Sequence, residues 1–234
     1  MKTLTFIAAA LAAVTLSAQS PTAQGEKRVQ LFGEFSRPKQ ITIGQVNGGD
    51  VKDQADSQLG VGLRFMGEMP GTTNWFFELG AKAETSSRMG FNQAIAGTAP
   101  AMTINTTKVN VRYSYFELGG AYIWELAPGF SLGAHLDARS ETMEASGQIQ
   151  VTPSSYGGSG DVSQRLSFLR PWVRVSGDFA FGKGAFSPFI GVDVAYTPIQ
   201  ASQTAVVSLI GIDQRTVKAM APQFGASLYF GLKF

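Results

Sequence analysis

The stretch Phe224-Gly225-Ala226-Ser227-Leu228-Tyr229-Phe230-Gly231-Leu232-Lys233-Phe234 carries an apolar side chain at every second position. Period two puts successive side chains on opposite faces of an extended strand. One face is then Phe224, Ala226, Leu228, Phe230, Leu232 and Phe234; the other is Gly225, Ser227, Tyr229, Gly231 and Lys233. A tilted strand of about 9–11 residues is long enough to cross a bilayer.

Moving toward the N-terminus, the same alternation recurs seven times. Ile190, Val192, Val194 and Tyr196 form one set, and Val173, Val175, Gly177, Phe179 and Phe181 another. Leu132, Ala134, Leu136 and Ala138 precede them, then Phe116, Leu118, Gly120, Tyr122 and Trp124. Phe77, Leu79, Ala81 and Ala83, then Leu59, Val61, Leu63 and Phe65, then Val29, Leu31, Gly33 and Phe35 complete the series. Eight is an even number, as an up-and-down barrel with both ends on one side requires. The links alternate in length. Those at 36–57, 85–107, 141–163 and 198–220 are long, while 67–73, Ala127-Pro128-Gly129 and Gly182-Lys183-Gly184 are short. Short turns at one rim and long loops at the other belong to transmembrane barrels. Residues 40–46, 103–115, 148–152 and 205–212 carry strand signals inside the long links. They read as hairpins protruding beyond the membrane, or as part of a ten-stranded barrel; the turn spacing favours eight.

The polar faces separate a membrane barrel from a soluble one. They hold Gly60, Gly62 and Arg64; Glu78, Gly80 and Lys82; Glu117 and Gly119; Gly133, His135 and Asp137; Arg174, Ser176 and Asp178; Gly191 and Asp193. Small residues with a few charges of both signs suit a narrow interior, not a solvated surface. The opposite faces are nearly uncharged. Aromatic residues gather at strand ends, where ring side chains mark the membrane interfaces. Phe65, Trp75, Phe76, Tyr122, Trp124, Phe130, Phe181, Phe186 and Phe234 lie toward the short-turn rim. Tyr115, Phe168, Trp172 and Tyr196 lie toward the other.

Composition agrees. Charged residues are 15%, below the roughly 25% of soluble proteins. A formal net charge of +2 makes a poor electrostatic partner for nucleic acid. With no Cys among 234 residues, disulfide scaffolds, thiolate zinc sites and thiol nucleophiles are excluded. A mean hydropathy of +0.04 is too apolar for disorder. Lys2, the apolar run 6–16 and the small residues Ser17, Ala18 and Ser20 have the layout of a secretory signal peptide. The expected organisation is a signal peptide at 1–18, a flexible lead-in at 19–26 and a barrel at 27–234.

The ending 225–234, with Phe234 last, resembles the terminal strand of Gram-negative outer-membrane barrels. The whole of 27–234 resembles a small OmpA/OmpX-type outer-membrane β-barrel of the porin-family kind. The resemblance implies a bacterial outer-membrane location. It also implies contact with membrane lipid, including lipopolysaccharide, and recognition of Phe230, Leu232 and Phe234 by the barrel-assembly machinery.

There is little sign of chemistry. The single histidine, His135, faces inward, and Ser131 lies four residues back on the same face. At about 3.3 Å per residue these two are about 13 Å apart, beyond the mutual reach a hydrolytic set needs. His135 is therefore expected in a lumenal network. Asp50, Asp53 and Asp56 lack a calcium-loop pattern. Arg88, Arg112, Arg165, Arg170 and Arg215 lie near the outer strand ends, where guanidinium can bind lipopolysaccharide phosphate in bidentate fashion. Inside, Lys82, Glu117, Asp137, Arg174 and Asp193 fall about six to eight residues from the short-turn ends, at levels set by strand rise and barrel shear. Lys82 is expected beside Glu117, and Arg174 beside Asp137 and Asp193, in an ionic layer that closes the lumen. The expected function is structural or interactive, through long external loops, without catalysis, metal or cofactor. The alternatives are a narrow passive pore and a lipid A-modifying enzyme.

Overall fold

The computed structural model describes residues 25–36, 40–46, 49–53, 57–88, 92–95, 102–105, 110–152, 159–182, 186–207 and 215–234. The expected signal peptide, and part of the Gly182-Lys183-Gly184 turn, lie outside the described residues.

Every element among the described residues is a strand. In chain order they are β1 (Lys27–Ser36), β2 (Gln40–Val46), β3 (Gly49–Asp53), β4 (Gln58–Glu68), β5 (Trp75–Arg88), β6 (Asn92–Ile95) and β7 (Met102–Asn105). There follow β8 (Asn110–Ala127), β9 (Phe130–Thr152), β10 (Ser159–Ala180), β11 (Ser187–Tyr196), β12 (Ser202–Val207), β13 (Arg215–Met220) and β14 (Phe224–Lys233). Eight of them close a ring in the order β1-β4-β5-β8-β9-β10-β11-β14, antiparallel throughout, with β14 returning to β1.

Register sets the tilt. Followed from partner to partner, Lys27 leads to Gly67, Phe77, Gly120, Leu136, Val173, Tyr196 and Phe224. Ser36 pairs with Gly225, the residue after Phe224, so the circuit closes on β1 with a stagger of ten residues. Such a stagger tilts the strands by roughly 35–45° and leaves an interior just wide enough for side chains.

The period-two faces fall as the sequence dictates. Leu136, Val175, Val192 and Leu228 point outward at 64%, 58%, 57% and 59% exposure. Their neighbours one residue away point inward and are buried. Exposed apolar residues on a closed wall with buried charges inside invert a soluble fold. A wall of this kind lies in a bilayer, where barrel closure satisfies every backbone group without water. The structure corrects four of the rim aromatics: Phe168 is turned inward, half-buried against Arg170, and three others lie deeper. Phe76, Tyr115 and Trp172 face the lumen and are almost fully buried. Trp172 shares the parity of Arg174, and Tyr115 that of Glu117, so strand alternation takes precedence over position at the strand end.

The rims differ as expected. At one, β8 turns into β9 through Pro128 and Gly129, the latter at φ +83°, a conformation that favours glycine. At the other, β9 and β10 continue as a long paired ribbon to Gln150 and Ser159. The β6–β7 hairpin adds to β9 there, and β12, β13, β2 and β3 form a separate four-stranded sheet. The stretch 40–46 is thus β2, 148–152 belongs to β9, 103–115 divides between β7 and β8, and 205–212 overlaps β12. These stretches lengthen β8 and β9 or lie outside the ring, and none adds a strand to it; the ring has eight strands and not ten.

Candidate functional site

The buried chemistry is inside the barrel, in three layers. Nearest the short-turn rim, Arg28 from β1 pairs with Glu26 at 2.5 Å and Asp178 at 3.4 Å, and lies 5.0 Å from the Phe76 ring centre. Lys233 approaches Asp178 at 3.5 Å. Met66, Phe76, Ala121 and Ile123 form an apolar cluster at this end.

The central layer is built on two arginines. Arg64 Nε from β4 lies 2.6 Å from Glu78 Oε1 and 2.8 Å from Glu117 Oε1, and its Nη1 lies 3.1 Å from Asp193 Oδ2. Arg174 from β10 pairs with Glu78, and meets Asp137 at 3.4 Å and Asp193 at 3.5 Å. His135 Nδ1 lies 2.9 Å from Glu78 Oε2, and its Nε2 lies 2.8 Å from Ser176 Oγ.

The upper layer interleaves cations with rings. Glu34 accepts from Lys82 Nζ at 3.0 Å and Tyr115 OH at 2.6 Å. The Arg139 guanidinium lies 4.2 Å from the Tyr115 ring centre and 4.4 Å from that of Trp172, while its Nε reaches Glu117 Oε2 at 2.9 Å. Glu141 receives two Arg170 bonds, at 3.0 and 2.5 Å, with Trp172 Nε1 and Tyr113 OH also donating. Arg170 further donates to the carbonyls of Ile199 at 2.9 Å and Pro222 at 2.7 Å, which joins the base of the last outer hairpin to the wall.

All six expected lumen residues, Lys82, Glu117, His135, Asp137, Arg174 and Asp193, face inward and are buried. Arg174 lies by Asp137 and Asp193. Lys82 does not meet Glu117. Register sets Lys82 opposite Tyr115 and puts Gly80 opposite Glu117, so Lys82 reaches Glu34 instead. The Glu117 side chain fills the space over Gly80 that a Cβ would occupy. Arg64, Glu78, Arg139, Glu34 and Glu141 belong to the same network. Their signal in the sequence was parity: each lies on the inward face of its strand.

Arg170 is also a correction. It is buried against Glu141 and is not displayed to lipid phosphate. Arg112 and Arg165 are exposed, each opposite Glu144 on β9. The side chains of Arg88, Arg215, Asp50 and Asp53, and Asp56 as a whole, lie outside the described residues. Of the terminal residues, Phe230 and Leu232 face lipid, and Phe234 exchanges two 2.9 Å backbone bonds with Lys27.

Two arrangements resemble catalytic sites. Ser176, His135 and Glu78 form a linear hydroxyl–imidazole–carboxylate chain, with Ser176 at the position Ser131 is too distant to fill. Yet Ser176 Oγ is enclosed on the lumen side of the wall, away from any acyl chain. Carboxylate oxygens of Glu78, Glu117 and Asp137 lie within 4.8 Å of one another. Each of the three carboxylates is already paired with Arg64, Arg139 or Arg174, Asp137 through Oδ2 only, so the donor set is an ion-pair network and does not form an open cation cage.

No family model and no curated protein sequence matches the chain. Solved structures do match. The outer membrane protein OprG from Pseudomonas aeruginosa aligns over 90% of this chain and 96% of its own, with 12% identity and a TM-score of 0.55. A major outer membrane protein from Thermus thermophilus aligns over 89% and 98%, with 13% identity and a TM-score of 0.50. The likeness is one of fold, and the fold is that of bacterial outer-membrane β-barrels.

Proposed function

We propose that this outer-membrane barrel is a sealed, non-catalytic scaffold that holds an external β-structure above the membrane for surface interaction. The closed lumen carries the reading. A conducting pore leaves its lining wet, whereas Arg64, Arg174 and Glu117 are exposed by only 1%, 1% and 0%. The scaffold is stiff where it meets the outside: the β9–β10 ribbon and the Arg170 bridge tie external strands to the wall. Loops on a rigid frame are where binding functions concentrate. The proposed partners are membrane lipid, lipopolysaccharide phosphate near Arg112 and Arg165, and the assembly machinery at the last strand.

Planar-bilayer recording of the purified barrel tests the reading. The expected trace shows no stable conductance step. A reproducible open level would favour a passive pore instead, and a mass change in lipid A on expression would favour a lipid-modifying enzyme.

A further inference from the structure

We propose that the Glu78–His135 pair holds one proton in the folded barrel at neutral pH, and that this proton completes the charge balance of the lumen. The hydrogen bonds alone admit two states. A neutral imidazole can donate from Nδ1 to an ionised Glu78 and accept from Ser176 at Nε2. With one proton more, the pair is either imidazolium with carboxylate or imidazole with carboxylic acid, and carries no net charge.

The charges around the pair decide between these states. Setting the pair aside, the central layer holds Glu117, Asp137 and Asp193 with Arg64 and Arg174. The upper layer holds Glu34 and Glu141 with Lys82, Arg139 and Arg170. Arg139 bridges the two layers through Glu117 and Glu34. Five carboxylates thus face five fixed cations among the described residues. At the rim, Glu26 and Asp178 face Arg28 and Lys233. The lumen is neutral when the Glu78–His135 pair is neutral. Without the proton, one uncompensated negative charge sits at mid-barrel, where side chains are dry and an unpaired charge is costly.

The charged groups facing the pair are Arg64 from β4, Glu117 from β8, Asp137 from β9, Arg174 from β10 and Asp193 from β11. Strands β1 and β14 contribute the neutral Gln30 and Tyr229. All five are held in the ion pairs already described, Asp137 through Oδ2 with its Oδ1 left without a hydrogen bond, while Glu78 and the imidazole share a direct 2.9 Å hydrogen bond.

The unfolded chain releases the proton from its only histidine near pH 6.5. Above that value the folded barrel holds one proton more than the unfolded chain, so stability falls as pH rises. Below it, down to about pH 4.3, the unfolded histidine holds a proton too, and the difference vanishes.

The test is urea unfolding in lipid vesicles from pH 5.5 to 9, with the single imidazole followed by 15N NMR and the Glu78 carboxyl by 13C NMR in the folded barrel. The unfolding constant is expected to rise about tenfold per pH unit between pH 7 and 9. Glu78→Gln is expected to flatten that limb, because it supplies the neutral partner without a proton. His135→Gln is expected to move its onset down toward pH 4.3, where a free glutamate ionises. A pH-independent unfolding constant overturns the proposal. So does an NMR spectrum at pH 7 with a neutral imidazole beside an ionised Glu78, a readout that needs no variant to fold.

Discussion

Arg64 and Glu117 meet at 2.8 Å inside the barrel, although β5 lies between their strands on the wall. The same Glu117 holds Arg139 with its other oxygen at 2.9 Å. One carboxylate therefore joins the central layer to the upper one. Glu117→Gln leaves two buried guanidinium groups short of a counter-charge, and breaking a buried pair from one side costs about 3–5 kcal/mol. The urea midpoint in vesicles is expected to fall accordingly, while Glu125→Gln, at an exposed position near the end of β8, is expected to shift stability by less than about 0.5 kcal/mol.

The outer face gives a second prediction. Val175 sits between Ala134 and Val194 on the outward surface of β10. Val175→Arg is expected to cost about 2–4 kcal/mol if the residue is at the bilayer midplane, and Leu169→Arg, six residues nearer the outer rim, about 0–1 kcal/mol. Urea titration of both variants in vesicles measures the difference. Equal costs at the two sites would show that the belt is not centred where the apolar face places it.

Gly191 gives a steric prediction. A Cβ there would lie 2.5 Å from the Gly177 carbonyl oxygen on the paired strand and would strike the Tyr229 ring from the other side. A ring can move; a hydrogen-bonded carbonyl in a closed wall cannot. Gly191→Ala is expected to lower stability by about 1–3 kcal/mol, as overpacking does, and Tyr229→Leu is not expected to restore it, because the contact with the Gly177 carbonyl remains. Thermal shift of the folded, gel-resolved barrel would measure both.

Phe234 closes the β1–β14 seam through its backbone bonds to Lys27 and stacks on Phe186 with 6.3 Å between ring centres. Deleting Phe234 is expected to reduce the amount of barrel assembled in cells more than it reduces the urea resistance of protein already folded. Equal membrane yield for the two chains would remove the terminal residue as an assembly signal.

The wall was legible in the sequence because a strand buries one face and the period of two reports which. Val175 outward and Ser176 inward follow from counting alone. The pairings across the lumen were not legible in the same way. Arg174 lies near Asp137 and Asp193 because β9 and β11 flank β10, and adjacency is visible in chain order. Lys82 reaches Glu34 and Arg64 reaches Glu117 because the ten-residue stagger brings side chains from non-adjacent strands to one level. Trp172 and Arg170 were misplaced for another reason. Composition near a strand end suggests an interface, but the lumen of this barrel continues upward between the long β9 and β10, and inward parity persists there.

A ring of hydrogen-bonded strands resists stretching but flattens easily under lateral load. Here the guanidinium groups act as spokes. Glu34 on β1 and Arg139 on β9, four strands apart in a ring of eight, touch at 3.5 Å across the full diameter. Arg174 and Glu78 tie β10 to β5 on another chord. A tube braced on crossing chords cannot become oval without parting charges that have no water to receive them. Its circular cross-section is thus held from within, whatever pressure the surrounding lipid exerts.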